Sequence, residues 1–158
     1  MTRIGLGWDR HPLGEGRPLL LLGVEIPSPR GPTAHSDGDV LAHAVADAVL
    51  GMAGLGDLGG FFPEDAAWTE KMAGSDLLRQ AVGAATKAGF KVHQVDAQIR
   101  LEDPPLAPYL PEIRARCAAI LGVGEGEVRI TARHGEGLGT VGRGECLEAL
   151  VVLLGGRE

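Results

Sequence analysis

Most of the side chains that can do chemistry lie in one short segment near the start of the chain, residues 34–43, which reads AHSDGDVLAH. Ser36 and Asp37 are typical of a helix start, where side-chain oxygens can accept hydrogen bonds from the N–H groups of the first turn. His35 precedes that start, where free N–H groups and the helix dipole favour anions. Apolar residues at helical spacing predict a helix with His43 about one turn in; they are Val40, Leu41, Ala44, Val45, Ala48, Val49 and Met52. A helical histidine beside an anion-binding terminus indicates metal-assisted phosphate chemistry.

A second pair of polar side chains lies earlier in the chain, where Asp9 and His11 follow a short strand candidate. Residues two apart on an extended segment point to the same side, so these side chains can converge on one point. With His43 they form an Asp/His/His set, and catalytic zinc commonly has three such ligands and an open fourth position. Asp39 and Asp47 lie four residues from His43, so one of these carboxylates is expected to orient the imidazole. Each residue alone is more often a packed, turn or surface residue, and the metal prediction depends on the whole set.

The composition describes an ordered globular chain of 158 residues, with 44% hydrophobic and 23% charged residues. We predict a single domain over residues 1–158 with one core. The net charge of −6 argues against nucleic acid as the main partner. Cys117 and Cys146 form no CxxC pair, so we expect buried thiols rather than a disulfide or a cysteine zinc site. No signal-peptide core or membrane-length apolar run is found, and the protein is therefore expected to be soluble and cytoplasmic.

The order of the predicted elements is β-β-α-α-β-α-β-β, which favours an α+β fold: a mixed β-sheet with helices packed on one face. The strands are predicted at 3–9, 18–24, 95–101, 127–134 and 147–154, and the helices at 39 to about 52, 75–88 and 108–121. Three prolines and a glycine predict a loop over 27–33, and Ser75 is predicted to cap the second helix. The last strand is apolar on both faces, so helices should cover one face, and another subunit is a candidate cover for the other.

Two glycine-rich loops match the spacing GxGxxG, at 54–59 and at 137–142. A dinucleotide site is not predicted, because the first match follows a helix and the second leads into a strand instead of a helix. Asp57, with the segment 61–65 behind it, is interpreted as the lip of a substrate site, although an ordinary acidic loop fits the same residues.

Four groups of residues together resemble a known family: Asp9-Arg10-His11; 34–39 with His43; 54–59 with Phe62-Pro63; and 139–145. They match the order, and nearly the spacing, of the 2-C-methyl-D-erythritol 2,4-cyclodiphosphate synthase family of the non-mevalonate isoprenoid pathway. The resemblance covers essentially the whole chain. It implies a phosphorus–oxygen lyase that acts on 4-diphosphocytidyl-2-C-methyl-D-erythritol 2-phosphate: the 2-phosphate attacks the β-phosphorus, CMP leaves and a cyclic diphosphate forms. It also implies a homotrimer whose sheets face a central axis and whose active sites lie at subunit interfaces.

The resemblance assigns metal and phosphate roles to individual residues. Asp9, His11 and His43 match the zinc ligands of the family. Glu136 matches the ligand of a second ion, magnesium or manganese, that lies between the α- and β-phosphates. His35 matches a residue that contacts phosphate, and we take it as catalytic.

The resemblance also implies a set of substrate-binding residues. Asp57 and Gly59 match the methylerythritol site, the segment 101–107 matches the loop that holds cytidine, and Arg143 matches a basic residue in the interior of the trimer. That residue lies near a cavity that can hold isoprenoid-like diphosphates. The full set is Ser36, Asp57, Leu58, Gly59, Phe62, Asp65, Leu101, Pro104, Pro105, Leu106, Ala107, Thr131 and Arg143.

The sequence departs from the family pattern at two places. The family usually has Thr-Thr-Thr-Glu before the second glycine-rich loop, whereas this chain has RHGE at 133–136. His134 stands at the position of a Thr that helps to stabilise the transition state. We expect Arg133 or His134 to supply the missing hydrogen-bond donor, which makes them candidate catalytic residues beside His35. The family's cytidine loop often has a Lys after its proline, and here that position is Pro105.

Two other functions are compatible with the same residues. A zinc hydrolase of phosphate or amide bonds would use the three ligands with water in the open position, need a general base and give a linear product. A non-enzymatic trimer would bind isoprenoid diphosphates through Arg143 in its central cavity and show no turnover with both metals present. The cyclising reaction itself requires no general base, because the attacking phosphate is already ionised near neutral pH.

Overall fold

A computed structural model of the chain describes residues 1–63 and 72–157. Its strands are β1 (Thr2–Glu15), β2 (Leu19–Leu21), β3 (Val24–Ile26), β4 (Arg30–Pro32), β5 (Phe90–Arg100), β6 (Val128–Arg133) and β7 (Cys146–Arg157). Its helices are α1 (Val40–Ala53), α2 (Leu58–Phe61), α3 (Gly74–Lys87), α4 (Leu110–Leu121) and α5 (Gly139–Gly142), with a 3-10 helix at Glu125–Glu127. Within the described ranges, no helix is both long and apolar enough to cross a membrane.

Five of the strands form one mixed sheet in the spatial order β4-β1-β7-β5-β6. β6 runs parallel to β5, and the other neighbouring pairs are antiparallel. The longer helices α1, α3 and α4 pack against one face of this sheet, and the hydrophobic side chains between them form the core. The predicted α+β class with a mixed sheet is therefore confirmed.

Helix α1 lies directly on β1 because two glycines on the inward face of the strand leave no side chains between them. A Cβ atom at Gly5 would lie 2.0 Å from the carbonyl oxygen of Ala48, and one at Gly7 would lie 1.9 Å from that of Ala44. Alternation along the strand puts the next odd-numbered residue, Asp9, on the same face. The close approach therefore brings the first turn of α1 next to the strand residues that follow Gly7.

The predicted strand at 18–24 is wrong, because the apolar run folds into a hairpin. β2 and β3 pair with each other in a separate two-stranded sheet, with Leu21 opposite Val24. The two residues between them, Leu22 and Gly23, have φ values of 50° and 74°, as the type I′ turn of a two-residue hairpin requires. The sequence gives no polar signal for this turn, since the residues that flank Gly23, namely Leu21, Leu22 and Val24, are buried apolar residues.

Two further local predictions need correction. The predicted loop at 27–33 contains β4, which pairs with the end of β1 and has Gly31 opposite Gly14. Its proline and glycine content therefore marks a short edge strand, where a missing N–H donor is tolerated. Ser75 does not cap α3, because the helix begins one residue earlier and its N-cap is Ala73, which forms no side-chain capping hydrogen bond.

The face of the sheet that points away from the helices exposes several large apolar side chains. Ile4, Leu6 and Trp8 on β1 are 67%, 63% and 52% exposed. On β7 the outward residues are exposed while their inward neighbours are buried under the helices, so this strand is apolar on both faces, as predicted. Its outward apolar residues are Leu150, Val152 and Leu154. A grouped apolar surface of this kind is typical of a face that another protein chain covers.

Candidate metal centre and adjoining pocket

Three side chains from β1 and α1 converge on one point: Asp9, His11 and His43. Their ligand atoms all lie within 4.8 Å of one another. Asp9 Oδ2 is 2.9 Å from His11 Nε2 and 3.1 Å from His43 Nδ1, and the two ring nitrogens are 3.3 Å apart. Tetrahedral zinc with bonds of about 2.0–2.1 Å separates its ligand atoms by about 3.3 Å, so these donors need only small shifts to hold the ion. The predicted cluster is confirmed as a group that can hold a metal ion.

The backbone positions each of these donors. The two strand donors are alternate residues of β1 on the side that faces α1, and His43 lies in the first turn of that helix. Asp39 fixes the start of the helix, because its side chain accepts a hydrogen bond from Ala42 N–H at 3.0 Å and one from Gly23 N–H at 3.1 Å. The same carboxylate therefore caps α1 and anchors the hairpin of β2 and β3 against it.

The residues before Asp39 form a turn, and the prediction that they cap the helix is wrong. Ser36 Oγ accepts a hydrogen bond from Gly38 N–H at 3.2 Å, and Asp37 Oδ1 accepts one from Asp39 N–H at 3.1 Å. The other carboxylate oxygen of Asp37 accepts from Gly74 N–H at 2.7 Å. This bond ties the first residue of α3 to the turn, so the segment beside the metal centre is held between two helices.

The charges around the donors favour a cation at their meeting point. Burial raises the pKa of Asp9, but hydrogen bonds from His11 and His43 outweigh it and lower the pKa to about 2. Burial lowers the pKa of His43, but its hydrogen bond to Asp9 and the charges of Asp9, Asp39 and Asp37 outweigh it and raise the pKa above its ordinary value. The site therefore favours positive charge at the point where the three donors meet.

The second ring nitrogen of His43, Nε2, is buried and has no hydrogen-bond partner among the described residues. Oδ1 of Asp37 lies 4.0 Å away, beyond hydrogen-bond distance. Metal-bound histidines usually donate their other N–H to a carboxylate or carbonyl, and Asp37 is placed to accept it after a small movement. The prediction that Asp39 or Asp47 orients the imidazole is wrong, because both side chains accept backbone N–H groups instead; Asp47 accepts that of Leu58 at 2.9 Å.

A cavity of about 210 Å³ opens beside the three donors. Its lining residues are Asp9, His11, Ala34, His35, Ser36, His43, Leu58, Gly59, Phe62 and Leu77. The structure thus brings together the metal candidates, His35 and Ser36, and the predicted substrate-binding residues Leu58, Gly59 and Phe62. Leu77 is not predicted, because an apolar residue on a helical stripe gives no signal that separates a pocket wall from the core. The cavity combines a cation site with polar side chains that can bind a phosphate.

One predicted residue of the substrate lip, Asp57, is not among the described residues that line this cavity. Asp57 is the N-cap of α2, and its carboxylate accepts a hydrogen bond from Gly60 N–H at 2.8 Å. Its Oδ1 is therefore engaged with the backbone, and its contact with substrate stays a prediction. Asp65 lies outside the described residues.

A second cluster of predicted residues lies where β5 and β6 end. It comprises Leu101, Pro104, Pro105, Leu106, Ala107, Thr131, Arg133, His134 and Glu136. The N–H of Leu101 donates to the carbonyl oxygen of Arg133 at 2.9 Å, and the Thr131 hydroxyl lies 3.4 Å from the carbonyl oxygen of Ala97. The first bond joins the loop 101–107 to the end of β6, and the second joins β6 to β5. None of the cluster is among the described residues that line the cavity beside Asp9.

Glu136, the predicted ligand of a second ion, is exposed and has a left-handed backbone with φ of 54°. Its N–H donates to His134 Nδ1 at 3.3 Å. A neutral histidine that accepts at Nδ1 carries its proton on Nε2, so His134 presents an N–H donor on its far side. In the ranges that the structure describes, no further group of three metal-ligating side chains converges. One carboxylate fits Mg²⁺ or Mn²⁺ when phosphate oxygens of a substrate complete the coordination.

Arg143 lies just after α5 and is exposed. Its guanidinium forms a bidentate pair with Glu145, with contacts of 2.7 and 3.1 Å. Arg30 holds the same loop against β1, because it donates to the carbonyl oxygens of Gly144 at 2.6 Å and Leu13 at 3.1 Å. That Arg143 faces an interior cavity concerns an assembly of several chains and stays a prediction.

Comparison with known proteins gives a consistent result. The family model that matches is described as the YgbB family and covers residues 2–155. A relative from Salinibacter ruber named 2-C-methyl-D-erythritol 2,4-cyclodiphosphate synthase is 49% identical over 148 residues, 93% of this chain and 94% of the relative. A solved structure of a 2C-methyl-D-erythritol-2,4-cyclodiphosphate synthase in a CDP-bound form is 35% identical, with a TM-score of 0.90 and coverage of 97% of this chain and 99% of that chain. The bifunctional IspDF of Campylobacter jejuni is 35% identical with a TM-score of 0.95; this chain is fully covered and matches 43% of that longer protein.

Proposed function

The chain belongs to the YgbB family, and from this premise we propose that it is a 2-C-methyl-D-erythritol 2,4-cyclodiphosphate synthase like its named relatives. An oxygen of the 2-phosphate of 4-diphosphocytidyl-2-C-methyl-D-erythritol 2-phosphate forms a bond to the β-phosphorus. The bond from that phosphorus to the oxygen bridging to the α-phosphorus breaks, and CMP leaves with that oxygen. The enzyme is then a phosphorus–oxygen lyase of the non-mevalonate isoprenoid pathway. The observation that carries the proposal is the meeting of Asp9, His11 and His43 at a cavity that also contains His35 and Ser36.

We assign zinc to the first centre, held by Asp9, His11 and His43. One carboxylate oxygen and two imidazole nitrogens are a donor set that zinc prefers, and three protein ligands leave a position for the substrate. Asp9 keeps its negative charge at every pH well above 2, because its pKa is about 2. Bound zinc supplies a Lewis acid that polarises a phosphoryl oxygen.

Residues beside the centre bind and orient the phosphates. Ser36 Oγ accepts a hydrogen bond from Gly38 N–H, so its own O–H can donate to a phosphate oxygen. His35 lines the same cavity, and its imidazole can offer a ring N–H donor. Phosphoryl transfer depends mainly on in-line positioning and on neutralising charge at the phosphoryl oxygens. Because the attacking phosphate is already ionised, no residue of the chain has to remove a proton.

The second cluster supplies the remaining contacts. Glu136 holds the second cation, Mg²⁺ or Mn²⁺, together with phosphate oxygens. His134 donates its Nε2–H to the diphosphate in place of the family's Thr, and Arg133 is the other candidate donor. The loop 101–107 binds the cytidine group; a related synthase structure with bound CDP supports a cytidine-nucleotide site in this fold.

We propose that the two clusters meet in a homotrimer, with each active site at an interface between chains. The exposed apolar side chains of β1 and β7 supply a surface that such an assembly would bury. On the same face, Glu148 accepts hydrogen bonds from Arg10 at 2.8 Å and Arg100 at 3.0 Å. This charged group is therefore already paired, as burial at an interface requires.

The decisive experiment measures CMP release and product identity together. Wild type, His43→Ala and His93→Ala are supplied with zinc, magnesium and the diphosphocytidyl substrate, and phosphorus NMR identifies the product. His93 is an exposed histidine on β5, so its substitution controls for histidine loss as such. We expect CMP and a cyclic diphosphate from wild type and His93→Ala, and a loss of at least about 100-fold in His43→Ala.

Other outcomes separate the competing functions. A linear product would favour the zinc hydrolase. No CMP from folded, zinc-loaded protein would refute the proposal and direct attention to binding of isoprenoid diphosphates, which Arg143→Ala would then weaken. Light scattering coupled to size-exclusion chromatography tests the trimer independently of activity.

A further inference from the structure

Glu102 lies in the loop after β5 and has no role in the chemistry described above. We propose that Glu102 is a positioning residue that fixes the loop carrying Glu136 and joins it to the loop 101–107. The identities of the cation and the nucleotide in this inference rest on the proposed function, whereas the contact between the two loops does not.

The side chain of Glu102 bridges the residues on both sides of Glu136. Its Oε2 accepts a hydrogen bond from Gly135 N–H at 2.5 Å, and its Oε1 accepts one from Gly137 N–H at 3.2 Å. A carboxylate with both oxygens engaged in this way is held in orientation as well as in position, and bonds to an ionised acceptor are stronger than neutral ones. One side chain therefore determines where the backbone of Glu136 lies.

Three consecutive N–H groups in this loop all have side-chain acceptors. Those of Gly135 and Gly137 donate to Glu102, and that of Glu136 donates to His134 Nδ1. Successive N–H groups at a turn with a left-handed residue form a concave nest that binds anions. Here the bound anion is the chain's own carboxylate, so substrate phosphates have to be held by other groups.

The loop needs this support because two of its residues, Gly135 and Gly137, have no side chains to hold it. Glu136 has φ of 54°, a conformation that a non-glycine residue keeps only where its surroundings fix it. Gly135 packs backbone to backbone, since a Cβ there would lie 2.4 Å from the nitrogen of Gly142, and it contributes no side chain. Removal of the Glu102 carboxylate would free two N–H groups and let Glu136 leave the left-handed region, which moves its carboxylate away from the cation.

The test compares Glu102→Ala and Glu102→Gln with Glu112→Ala, which removes an exposed carboxylate on α4 that pairs with Arg116. Mn²⁺ is titrated into zinc-loaded protein with CDP present, and electron paramagnetic resonance measures free Mn²⁺. We expect the apparent Kd for Mn²⁺ to rise at least about 10-fold in Glu102→Ala, the effect typical of losing an outer-shell partner. Glu102→Gln keeps one acceptor oxygen, so its Kd for Mn²⁺ should lie between those of wild type and Glu102→Ala. Glu112→Ala should have the wild-type Kd.

Turnover and hydrogen exchange separate positioning from general damage to the fold. The Mn²⁺ concentration for half-maximal rate should rise by the same factor as the Kd, whereas kcat at saturating Mn²⁺ and zinc content should change much less. In the metal-free protein, the amides of Gly135 and Gly137 should exchange faster in Glu102→Ala than in wild type. Wild-type Mn²⁺ affinity in Glu102→Ala, or an equal loss in Glu112→Ala, overturns the inference.

The same design distinguishes a failure of the proposed function. If wild type binds Mn²⁺ with CDP but releases no CMP from the substrate, the proposed reaction fails and the role of Glu102 stands on the binding data. If the exchange rates of Gly135 and Gly137 are equal in wild type and Glu102→Ala, the role of Glu102 is refuted, whatever the enzyme's activity.

Discussion

The backbone contact between β1 and α1 at Gly7 positions the metal donors, and one added methyl group tests this. In Gly7→Ala the new Cβ would lie 1.9 Å from the carbonyl oxygen of Ala44, whereas real Cβ contacts essentially never fall below 3.0 Å. Because the obstacle is helix backbone, it cannot rotate away as a side chain would. Strand and helix must therefore separate locally by at least about 1.1 Å, the difference between these distances.

This separation acts directly on the metal centre. His43 comes immediately before Ala44 in α1, and Asp9 follows Gly7 by two residues on β1. The displacement is several times the tolerance of about 0.2 Å that metal–ligand distances allow. We expect zinc affinity to fall by about 100-fold, as a misplacement of about 1 Å does in other preorganised sites. Overpacking should also lower the free energy of unfolding by about 1–3 kcal/mol.

The assay measures the two effects separately. Competition with a chromophoric chelator gives the zinc Kd, and urea unfolding of the metal-free protein gives the stability. Gly51→Ala is the matched control, because Gly51 lies in the same helix and a Cβ there meets nothing within 4 Å. That variant should bind zinc like wild type and gain about 0.5–1 kcal/mol of stability.

Two results would refute the reasoning. If Gly7→Ala loses stability but keeps the wild-type zinc Kd, the close approach at this position does not set the donor geometry. If Gly51→Ala loses zinc as well, any change in α1 disturbs the site and the particular contact is not responsible.

Three further predictions concern other titratable groups. Asp37→Asn should weaken zinc binding by about 10-fold, because His43 Nε2 loses the carboxylate that lies 4.0 Å away. Chelator competition measures this change. Asp76→Asn, which removes an exposed carboxylate on α3, should leave the zinc affinity unchanged. Burial raises the pKa of Asp39 from 3.8 to about 6. Between these two pH values the folded chain binds a proton that the unfolded chain has released, so the metal-free protein should lose stability as the pH rises from 3.8 to about 6. Urea unfolding measures this, and a stability that does not change over this pH range would contradict the prediction. Burial raises the pKa of Cys117 to about 12, so a thiol reagent at pH 8 should label Cys117 only after unfolding.

The metal centre is predictable from the sequence because the direction of each donor side chain follows from the periodicity of its strand or helix. Asp9 and His11 share a strand face at a spacing of two, and His43 lies at a fixed place in a helix whose apolar pattern is clear. These periodicities do not determine that β1 and α1 contact each other. Gly5 and Gly7 carry that information, since their missing side chains admit the helix backbone, but in a sequence they look like weak strand residues.

The hydrophobic pattern does not predict the secondary structure where backbone conformation determines the position of a turn. The run at 18–24 is apolar throughout, and only the positive φ at Leu22 and Gly23 makes it a hairpin. The second cluster is harder still for a different reason. Residues of the loop 101–107 and of the segment 133–137 become neighbours only through the parallel pairing of β5 and β6. No local sequence pattern predicts a parallel pairing between strands so far apart in the chain.

The carboxylates near the site differ in what they bind. Asp39, Asp47, Asp57 and Glu102 all accept backbone N–H groups. The predicted pairing of Asp39 or Asp47 with the imidazole is wrong for this reason, whereas the substrate contact of Asp57 stays a prediction. Turns and helix starts leave N–H groups without a backbone partner, and a buried or half-buried one requires an acceptor. Asp9 differs because it lies inside β1, whose backbone is paired with β7. Its carboxylate is therefore the one left for a cation, which is how a chain of net charge −6 can present a site for a polyanion.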